Sequence, residues 1–387
     1  MIATIYHGFM LFTTPSLTTA DQRVLGEIDA MRHELRYQVR AQQKWTEGLR
    51  KFLTADAVAA SNSIEGFRVS TEDAVDLMDG ERDVDVSDEN REETLAYQQM
   101  VSYVQALHDT ADFTYSKGLL CGMHWMLQGH RHSPRKPAGQ WRRGPVYVTD
   151  PGDPRTAAYT APDADQVPQL MAELIEWLNA ENGSSHLLVR AAMAHLNLVS
   201  IHPWADGNGR MSRSLQTLMI AREGVLAPEF SSIEAWLGRP RHTWEYYQQL
   251  SRLGATYLPE LDASEWVRFN LTAYHQQAQS VCFSVSRASR LWVELTEFAD
   301  HKGLDERTIS ALYEAAAAGR VRRARYEHAE DLSLQQAQRD LRDLVTAGIL
   351  APVGRTRARF YRPGEAFPQD VLEFAATPVT LADPYAG

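Results

Sequence analysis

The chain has 387 residues, of which 44% are hydrophobic and 23% charged, and its formal net charge is −11. This composition is typical of a soluble globular protein and excludes extensive disorder, while the length predicts two or three domains. No apolar run is as long as a membrane span, so we expect no membrane partner. The cysteines Cys121 and Cys282 have no neighbouring partner cysteines, which excludes a disulfide framework or zinc ribbon and favours the cytoplasm.

The charge is distributed unevenly along the chain. Residues 305–362 contain eleven Arg, no Lys and eight Asp or Glu, so this segment carries +3 and the remainder −14. A basic segment attached to an acidic body predicts a contact with nucleic acid or with another protein.

Apolar residues at helical spacing predict a mainly α protein. Gly66 lies where a helix C-terminus favours a left-handed residue. In chain order, the first half is predicted to contain helices over 21–53, 54–64, 95–107 and 115–128, with an acidic stretch over 73–93 and a basic loop over 130–143.

The segment 146–160 interrupts this helical pattern. Val146, Tyr147 and Val148 are β-branched or aromatic, and residues 150–154 read Asp-Pro-Gly-Asp-Pro. We therefore expect a β-hairpin here. Further helices are predicted over 167–178, 185–199, 210–222, 244–253 and 264–290.

The segment between two of these helices, from residue 202 to 213, reads His-Pro-Trp-Ala-Asp-Gly-Asn-Gly-Arg-Met-Ser-Arg. Pro203 cannot continue the preceding helix, so His202 is held at a helix end beside a loop. Asp206 offers a hard oxygen ligand that suits Mg²⁺ rather than zinc.

The second half of the segment is suited to binding an anion. Gly207, Asn208 and Gly209 form a tight turn whose backbone N–H groups converge at the start of the next helix. Arg210 and Arg213 are three residues apart and share a helix face. The order of base, carboxylate, turn and paired arginines predicts a nucleoside triphosphate site rather than a capped helix with solvated charges.

These residues resemble the signature of the Fic family, His-Pro-Phe-x-Asp/Glu-Gly-Asn-Gly-Arg-x-x-Arg, with Trp204 in place of the phenylalanine. The resemblance extends over about residues 50–275, because the hairpin lies where the family has its target-binding flap and the helix through His195 where it has its central helix. It implies a Fic-type helical bundle with a β-hairpin flap.

The resemblance also implies the chemistry, which is AMP transfer from ATP to a Ser, Thr or Tyr hydroxyl of a target protein. His202 would take the hydroxyl proton, and its ordinary pKa of about 6.5 suits a general base. Asp206 would hold Mg²⁺ on the α- and β-phosphates. The Gly-Asn-Gly turn would form the anion hole, and Arg210 and Arg213 would meet the β- and γ-phosphates. Pyrophosphate leaves, and self-modification is a related outcome.

A second motif precedes the first. Residues 61–66, Ser-Asn-Ser-Ile-Glu-Gly, resemble the family's inhibitory signature, Ser/Thr-x-x-x-Glu-Gly/Asn, in the class whose inhibitory helix (about 54–66) lies N-terminal to the catalytic motif. The resemblance implies that Ser61, Glu65 and Gly66 belong to this motif and that Glu65 pairs with Arg213 in the place of the γ-phosphate. A helix end with a solvated glutamate is the alternative. A role for Glu65 in removing AMP from the target stays open.

Two flanking features complete this prediction. The hairpin residues Val146, Tyr147 and Val148 would accept a target segment as an added strand, unless the hairpin has no partner. Tyr246 and Tyr247 fall where family members place residues near the adenine, and core aromatics are the alternative.

Residues 301–365 resemble a winged helix-turn-helix domain with a recognition helix over Ser333–Arg342 and a basic hairpin near its end. Gln335, Gln338 and Arg339 would then touch DNA, but two aspartates on the same helix favour a protein contact. The alternative function is a DNA-binding regulator whose Fic-like part senses a nucleotide.

The expected partners are ATP, an unidentified target protein and, through the winged helix, DNA; a homodimer stays open. The expected organisation is an N-terminal helical region (1–110), a Fic core (111–280), a helical linker (281–300), a winged-helix domain (301–365) and an irregular tail (366–387).

Overall fold

The protein is described by a computed structural model over residues 11–40, 43–149, 157–180, 185–354 and 359–386. Most of these residues are helical, as predicted, and the β-hairpin is present as an antiparallel pair. The elements of the first half are α1 (Thr19–Arg40), α2 (Lys44–Ile64), α3 (Thr71–Met78), α4 (Asp88–Leu107), α5 (Lys117–Gln128), β1 (Tyr147–Thr149), β2 (Ala157–Thr160), α6 (Val167–Asn179), α7 (Leu187–Ile201) and α8 (Asn208–Ala221).

The second half is also helical apart from one short sheet. A single helix, α12, runs through the predicted linker, so residues 281–300 continue the core helix instead of separating two units. The elements are α9 (Pro228–Ser231), α10 (Glu234–Leu237), α11 (Pro240–Arg252), α12 (Ser264–Lys302), α13 (Thr308–Ala317), α14 (Arg323–Ala329), α15 (Leu334–Thr346), β3 (Leu350–Val353), β4 (Phe360–Pro363) and α16 (Gln369–Ala375).

Two sequence predictions about local structure are wrong. The first two helices divide between Arg40 and Lys44 rather than near residue 53, although neither Gly nor Pro marks the break. There Gln43 has an extended backbone and precedes α2. The tail is not irregular throughout, because α16 forms where Val371 and the preceding Phe367 are buried in the core. In both places tertiary packing decides what local sequence leaves open.

The described residues bury two large apolar clusters. One surrounds α7 and α8 and includes residues of α4, α5, α6 and the first half of α12. The other joins the second half of α12 to α13, α15 and α16. Helix α2 contributes to both, since Leu49 and Leu53 lie in the second cluster and Val58 and Ile64 in the first. The N-terminal region predicted over 1–110 is thus divided between the two.

The C-terminal elements form a three-helix unit followed by a two-stranded antiparallel sheet. Strand β3 pairs with β4, and Val321 adds a bridge to Tyr361. The buried Asp340 accepts hydrogen bonds from Arg307 and Tyr326. The arginines predicted at the hairpin tip, 355–358, lie outside the described residues.

An ion-pair cluster joins this unit to α3. The carboxylate of Asp76 is fully buried and pairs with Arg320, Arg322 and Arg325 at 2.7, 2.8 and 3.1 Å. These three arginines of residues 305–362 are therefore paired within the chain.

No helix in the described ranges is both long and apolar enough to cross a bilayer.

The packing of α10 on α2 leaves no room for a side chain at Gly238. A Cβ atom there would lie 2.6 Å from Ala60 Cβ and 2.8 Å from its Cα. We expect Gly238→Ala to lower the free energy of unfolding by about 1–3 kcal/mol, as overpacking does, in urea denaturation. Gly26→Ala is the control: a Cβ there meets nothing within 4 Å inside α1, so we expect a gain of about 0.5–1 kcal/mol. Equal effects of the two substitutions would contradict this close packing.

Candidate active site

The candidate site is the loop between α7 and α8. Helix α7 ends with His202 in a left-handed conformation (φ 53°, ψ 57°), and its N–H donates to Leu198 O at 3.0 Å. This turns the chain sharply at the residue before Pro203. A left-handed residue that is not glycine is uncommon and carries strain, and such residues cluster at functional sites.

The position of the His202 ring defines its tautomer. Nδ1 lies 3.0 Å from Val199 O, and because a carbonyl can only accept, Nδ1 carries the proton. Nε2 is then left with a lone pair. Burial lowers the pKa of His202, the Arg142 charge lowers it further, and the hydrogen bond to Val199 opposes both. The imidazole is therefore neutral near pH 7 and able to accept a proton.

The turn that follows has the geometry of an anion site. Gly207 has φ 79° and precedes α8, whose first N–H groups have no intrahelical partner. A Cβ at Gly207 would lie 3.1 Å from both Gln128 Nε2 and Leu127 Cδ2, so space as well as φ requires glycine. The Asn208 side chain is occupied within the loop, because it bonds both the N–H and the carbonyl of Trp204 at 3.0 Å.

The tryptophan that departs from the family signature is packed in the core, where its indole N–H has no hydrogen-bond partner among the described residues. Trp204 is fully buried, and its ring stacks on His124 with centroids 4.6 Å apart and an interplanar angle of 4°. His124 in turn bonds Asp206 O through Nε2 (3.0 Å) and accepts from Gly139 N through Nδ1 (2.9 Å). Burial lowers the pKa of His124 to about 4. The neutral His124 ring thus supports the backbone of Asp206, the candidate metal ligand. The sequence did not reveal this contact.

Asp206 lies at the edge of the site and is partly exposed. Its Oδ1 accepts from Gly207 N at 2.8 Å, and its Oδ2 pairs with Lys136 Nζ at 2.8 Å. Burial alone would raise the pKa of Asp206, but Lys136 and the Gly207 N–H outweigh it, so the net direction is downward. The carboxylate is therefore ionised at neutral pH. The described residues contain no cluster of three or more His, Cys, Asp or Glu side chains able to hold a metal by themselves.

Arg213 is 1% exposed and is held by the end of α2. Its Nε donates to Ser61 Oγ at 2.8 Å, and its Nη2 donates to Ser61 O at 3.1 Å and to Glu65 Oε1 at 2.8 Å. Burial opposes the charge of Arg213, but the nearby carboxylates raise its pKa overall. The ion pair expected between Glu65 and Arg213 is present. Oε1 of Glu65 also lies so close to Gly209 that any side chain at position 209 would collide with it.

Arg210, the other arginine expected to meet a phosphate, is paired within the protein. It is 1% exposed, pairs with the fully buried Glu93 of α4 and donates to Asn62 Oδ1 at 3.2 Å. Its guanidinium also lies 5.4 Å from the centre of the Phe67 ring. Glu93 also pairs with Arg131 at 2.9 Å. Through Glu93 and Asn62, Arg210 ties α8 to α4 and α2.

The end of α2 is closed by a well-defined cap. Glu65 occupies the C-cap, Gly66 follows with φ 93°, and Phe67 N and Gly66 N donate to Asn62 O and Ser63 O at 3.0 and 3.1 Å. This pair of bonds is a Schellman motif, which requires the left-handed glycine predicted at this position. The cap aims the Glu65 side chain at the site.

A buried polar network lies behind Arg213. The Tyr97 hydroxyl donates to Glu234 and contacts the hydroxyl of Ser61 at 3.0 Å. Burial raises the pKa of Glu234, with Tyr97 and the Arg213 charge opposing it. Both Tyr97 and Glu234 escaped the sequence reasoning, because a Tyr and a Glu more than 130 residues apart carry no local signal.

The two tyrosines expected near the adenine differ. Tyr246 is 2% exposed, and its hydroxyl lies 3.0 Å from Nε2 of the buried His195. This burial favours the alternative, a core aromatic. Tyr247 is 39% exposed and donates to Ile64 O at 3.2 Å, so only Tyr247 stays a candidate for the adenine pocket.

The hairpin borders the site at the end of α7. The Tyr159 hydroxyl donates to Ser200 O at 2.7 Å, and Thr160 N donates to Ala255 O at 2.8 Å. Tyr147 is 54% exposed on the opposite strand. The predicted turn of the hairpin, residues 150–154, lies outside the described residues.

Comparison with known proteins gives this site a family context. Residues 113–220 match the family model described as Fic/DOC family. The chain is 34% identical over 167 residues to the protein adenylyltransferase Fic of Culex quinquefasciatus, covering 42% of this chain and 31% of that protein. It is 40% identical over 87 residues to the protein of the same name from Drosophila virilis, covering 22% of this chain and 16% of that one.

The overall fold is also similar to that of solved Fic proteins. A Fic family protein from Desulfovibrio desulfuricans G20 superposes with a TM-score of 0.56 at 25% identity, covering 92% of this chain and 99% of that structure. The chain spans less than a third of the length of the curated relatives described above. The residues that match the Fic/DOC family model, 113–220, include the 202–213 motif.

The Arg210–Glu93 pair is a sensitive test of the site's architecture. Glu93→Gln leaves a buried guanidinium without its carboxylate, so we expect the free energy of unfolding to fall by about 3–5 kcal/mol in urea denaturation. Glu89→Gln removes an exposed carboxylate that pairs with Arg131 (2.6 Å), and should cost less than about 1 kcal/mol. If both variants were equally stable, Glu93 would not be the counter-ion of Arg210.

Proposed function

We propose that this protein transfers AMP from ATP to a hydroxyl side chain of a target protein and releases pyrophosphate. The observation that carries the proposal is the α7–α8 loop. It presents the unprotonated Nε2 of a neutral His202 beside a helix N-terminus, Gly209 and the buried charge of Arg213. The similarity to adenylyltransferases named Fic supports the same reaction.

The reaction follows from these groups. Nε2 of His202 accepts the proton of the target hydroxyl as its oxygen bonds to the α-phosphorus. The bond between that phosphorus and the bridging oxygen breaks, and the electron pair leaves with pyrophosphate. The N–H groups at the start of α8 stabilise the added charge, and Arg213 orients the terminal phosphates. The residues mainly position groups and stabilise charge.

Mg²⁺ fits this site only together with the nucleotide. Asp206 supplies one ionised hard oxygen donor, and no further acidic or histidine cluster accompanies it in the described part of the chain. Mg²⁺ commonly takes one or two protein carboxylates plus substrate phosphates. When bound, the ion would neutralise phosphate charge, and Asp206 would hold it in exchange for Lys136.

We further propose that the chain is self-inhibited by Glu65. Its carboxylate lies on Arg213 and against Gly209, where the terminal phosphates of a productive nucleotide would have to bind. Two anions cannot share one buried guanidinium without strong repulsion. With Glu65 in place, ATP would bind weakly or with its α-phosphate misplaced for attack.

The alternative, a DNA-binding regulator with a nucleotide sensor, gains no support from the described contacts. Arg320, Arg322 and Arg325 pair with carboxylates of α3, and Asp340 on the predicted recognition helix binds Arg307. These four arginines are therefore not free to meet phosphates.

Removing the Glu65 carboxylate tests both parts of the proposal. We expect Glu65→Gly to raise self-modification with α-labelled ATP about tenfold or more, since a charge-assisted hydrogen bond contributes about 1.5–3 kcal/mol. Mass spectrometry of the modified protein identifies the transferred group as AMP. Glu65→Gln, which keeps the size but loses the charge, should also activate.

The double variant Glu65→Gly, His202→Ala serves as the catalytic control and should transfer nothing. If the protein became labelled by γ-labelled ATP and not by α-labelled ATP, the reaction would be phosphate transfer and not AMP transfer. If the Glu65→Gly variant were no more active than the wild-type protein, Glu65 would not be inhibitory.

A further inference from the structure

Arg142 is a buried cation that the reaction described above does not yet use. It lies between the basic loop and the hairpin and is 4% exposed. Among the described residues it forms no ion pair with a carboxylate. Instead, its guanidinium donates to three carbonyl oxygens: Nε to His202 O (2.8 Å), Nη1 to Gly144 O (3.0 Å) and Nη2 to Pro162 O (2.5 Å).

Arg142 binds the chain directly after the end of α7. Pro203 has no N–H to close the helix, and two carbonyls of the last turn are met by side chains instead: Val199 O by His202 Nδ1 and Ser200 O by the Tyr159 hydroxyl. The next two carbonyls, those of His202 and Pro203, lie beyond the helix. Arg142 binds both, since its side chain binds His202 O and its backbone N–H donates to Pro203 O at 2.8 Å. One residue thus holds the strained conformation of the catalytic candidate.

The other two bonds of Arg142 reach the base of the hairpin. Gly144 precedes β1 and Pro162 follows β2, so the two N–H groups hold both stems of the hairpin. A planar guanidinium has a rigid arrangement of donors, which an ammonium group lacks. The hairpin and the His202 backbone are consequently fixed relative to each other by a single rigid group.

Arg142 also contributes charge next to the imidazole. The charged groups that face His202 are Arg142 from the hairpin base, Glu65 from α2 and Asp206 from the following loop. Burial is the largest cause of the lowered pKa of His202, Arg142 acts in the same direction, and the two carboxylates oppose it. When Glu65 leaves the site, the relative weight of Arg142 increases.

We propose that Arg142 is a positioning residue of the transfer reaction, which aligns His202 with the hairpin that would present the target hydroxyl. This inference rests on the proposed function. Arg142 has a second effect, because its charge adds to burial in lowering the pKa of His202.

The test uses the full chain with Glu65→Gly and adds Arg142→Lys, Arg142→Gln or Arg143→Gln. Arg143 is the matched control, since it is the adjacent arginine but exposed. Two quantities are measured: the pH profile of self-modification with α-labelled ATP, and the titration of the His202 ring by NMR of histidine-labelled protein, assigned with His202→Ala. Thermal unfolding of each variant accompanies both.

We expect Arg142→Gln to raise the pKa of His202 and to move the acidic limb of the pH profile upward in the same sense. Arg142→Lys keeps the charge, so its acidic limb should stay near that of the parent while the rate at the optimum falls about tenfold or more. Arg143→Gln should leave both measurements unchanged. If Arg142→Gln does not fold, Arg142→Lys still decides the positioning role.

Parent-like rates in Arg142→Lys, or equal effects of the Arg142 and Arg143 variants, would overturn the proposal. So would an unchanged His202 titration in a folded Arg142→Gln protein. If the Glu65→Gly parent transfers no AMP at all, the proposed function fails, while the NMR titration still reports whether Arg142 sets the state of His202.

Discussion

The interaction on which the site depends is the pairing of the Arg213 guanidinium deep inside the protein. A buried cation must have partners, and removing one partner of such a pair costs several kcal/mol. Here the partners come from the last turn of α2: the side chain and carbonyl of Ser61, and the carboxylate of Glu65. The charge to which the proposed function assigns the terminal phosphates therefore holds a segment about 150 residues upstream in this structure. Another anion can take that place only if Glu65 leaves.

Helix α2 is not a free lid over the site. Its first half packs with α12 and the C-terminal helices, and its second half packs with the core around α7 and α8. The segment that follows it, α3, is joined to the C-terminal unit through Asp76 and three arginines. Moving the whole helix would break both cores, whereas a change limited to the capped last turn breaks the Schellman bonds, the contacts to Arg213 and the hydrogen bonds of that turn to Tyr97, Arg210 and Tyr247. The local change is far less costly.

Three buried arginines around the α7–α8 loop have different partners. Arg213 turns its charge toward the anion turn, and Arg210 pairs with Glu93 of α4. Arg142 is satisfied by carbonyls alone and keeps its charge uncompensated by any described ion-pair partner. Trp204 belongs to the same support, since its stacking on His124 backs the loop that carries Asp206. A guanidinium can bind each of these partners because its five N–H groups donate to carboxylates, carbonyls or phosphates.

By itself the sequence determined the elements and residues whose signals are local. Helical periodicity predicted the mainly α fold, Pro203 and the glycines marked the ends of α7 and the start of α8, and Gly66 marked the cap of α2. The resemblance to a family signature supplied the expected partnership of Glu65 and Arg213. Only the tertiary structure decided where α1 ends, that Arg210 and Tyr246 face inward, and that Arg142, His124 and Glu93 support the site. The reason is physical: those roles are set by which distant groups a buried charge or ring meets, and residues brought together across about 50 to 150 positions leave no pattern in the local sequence.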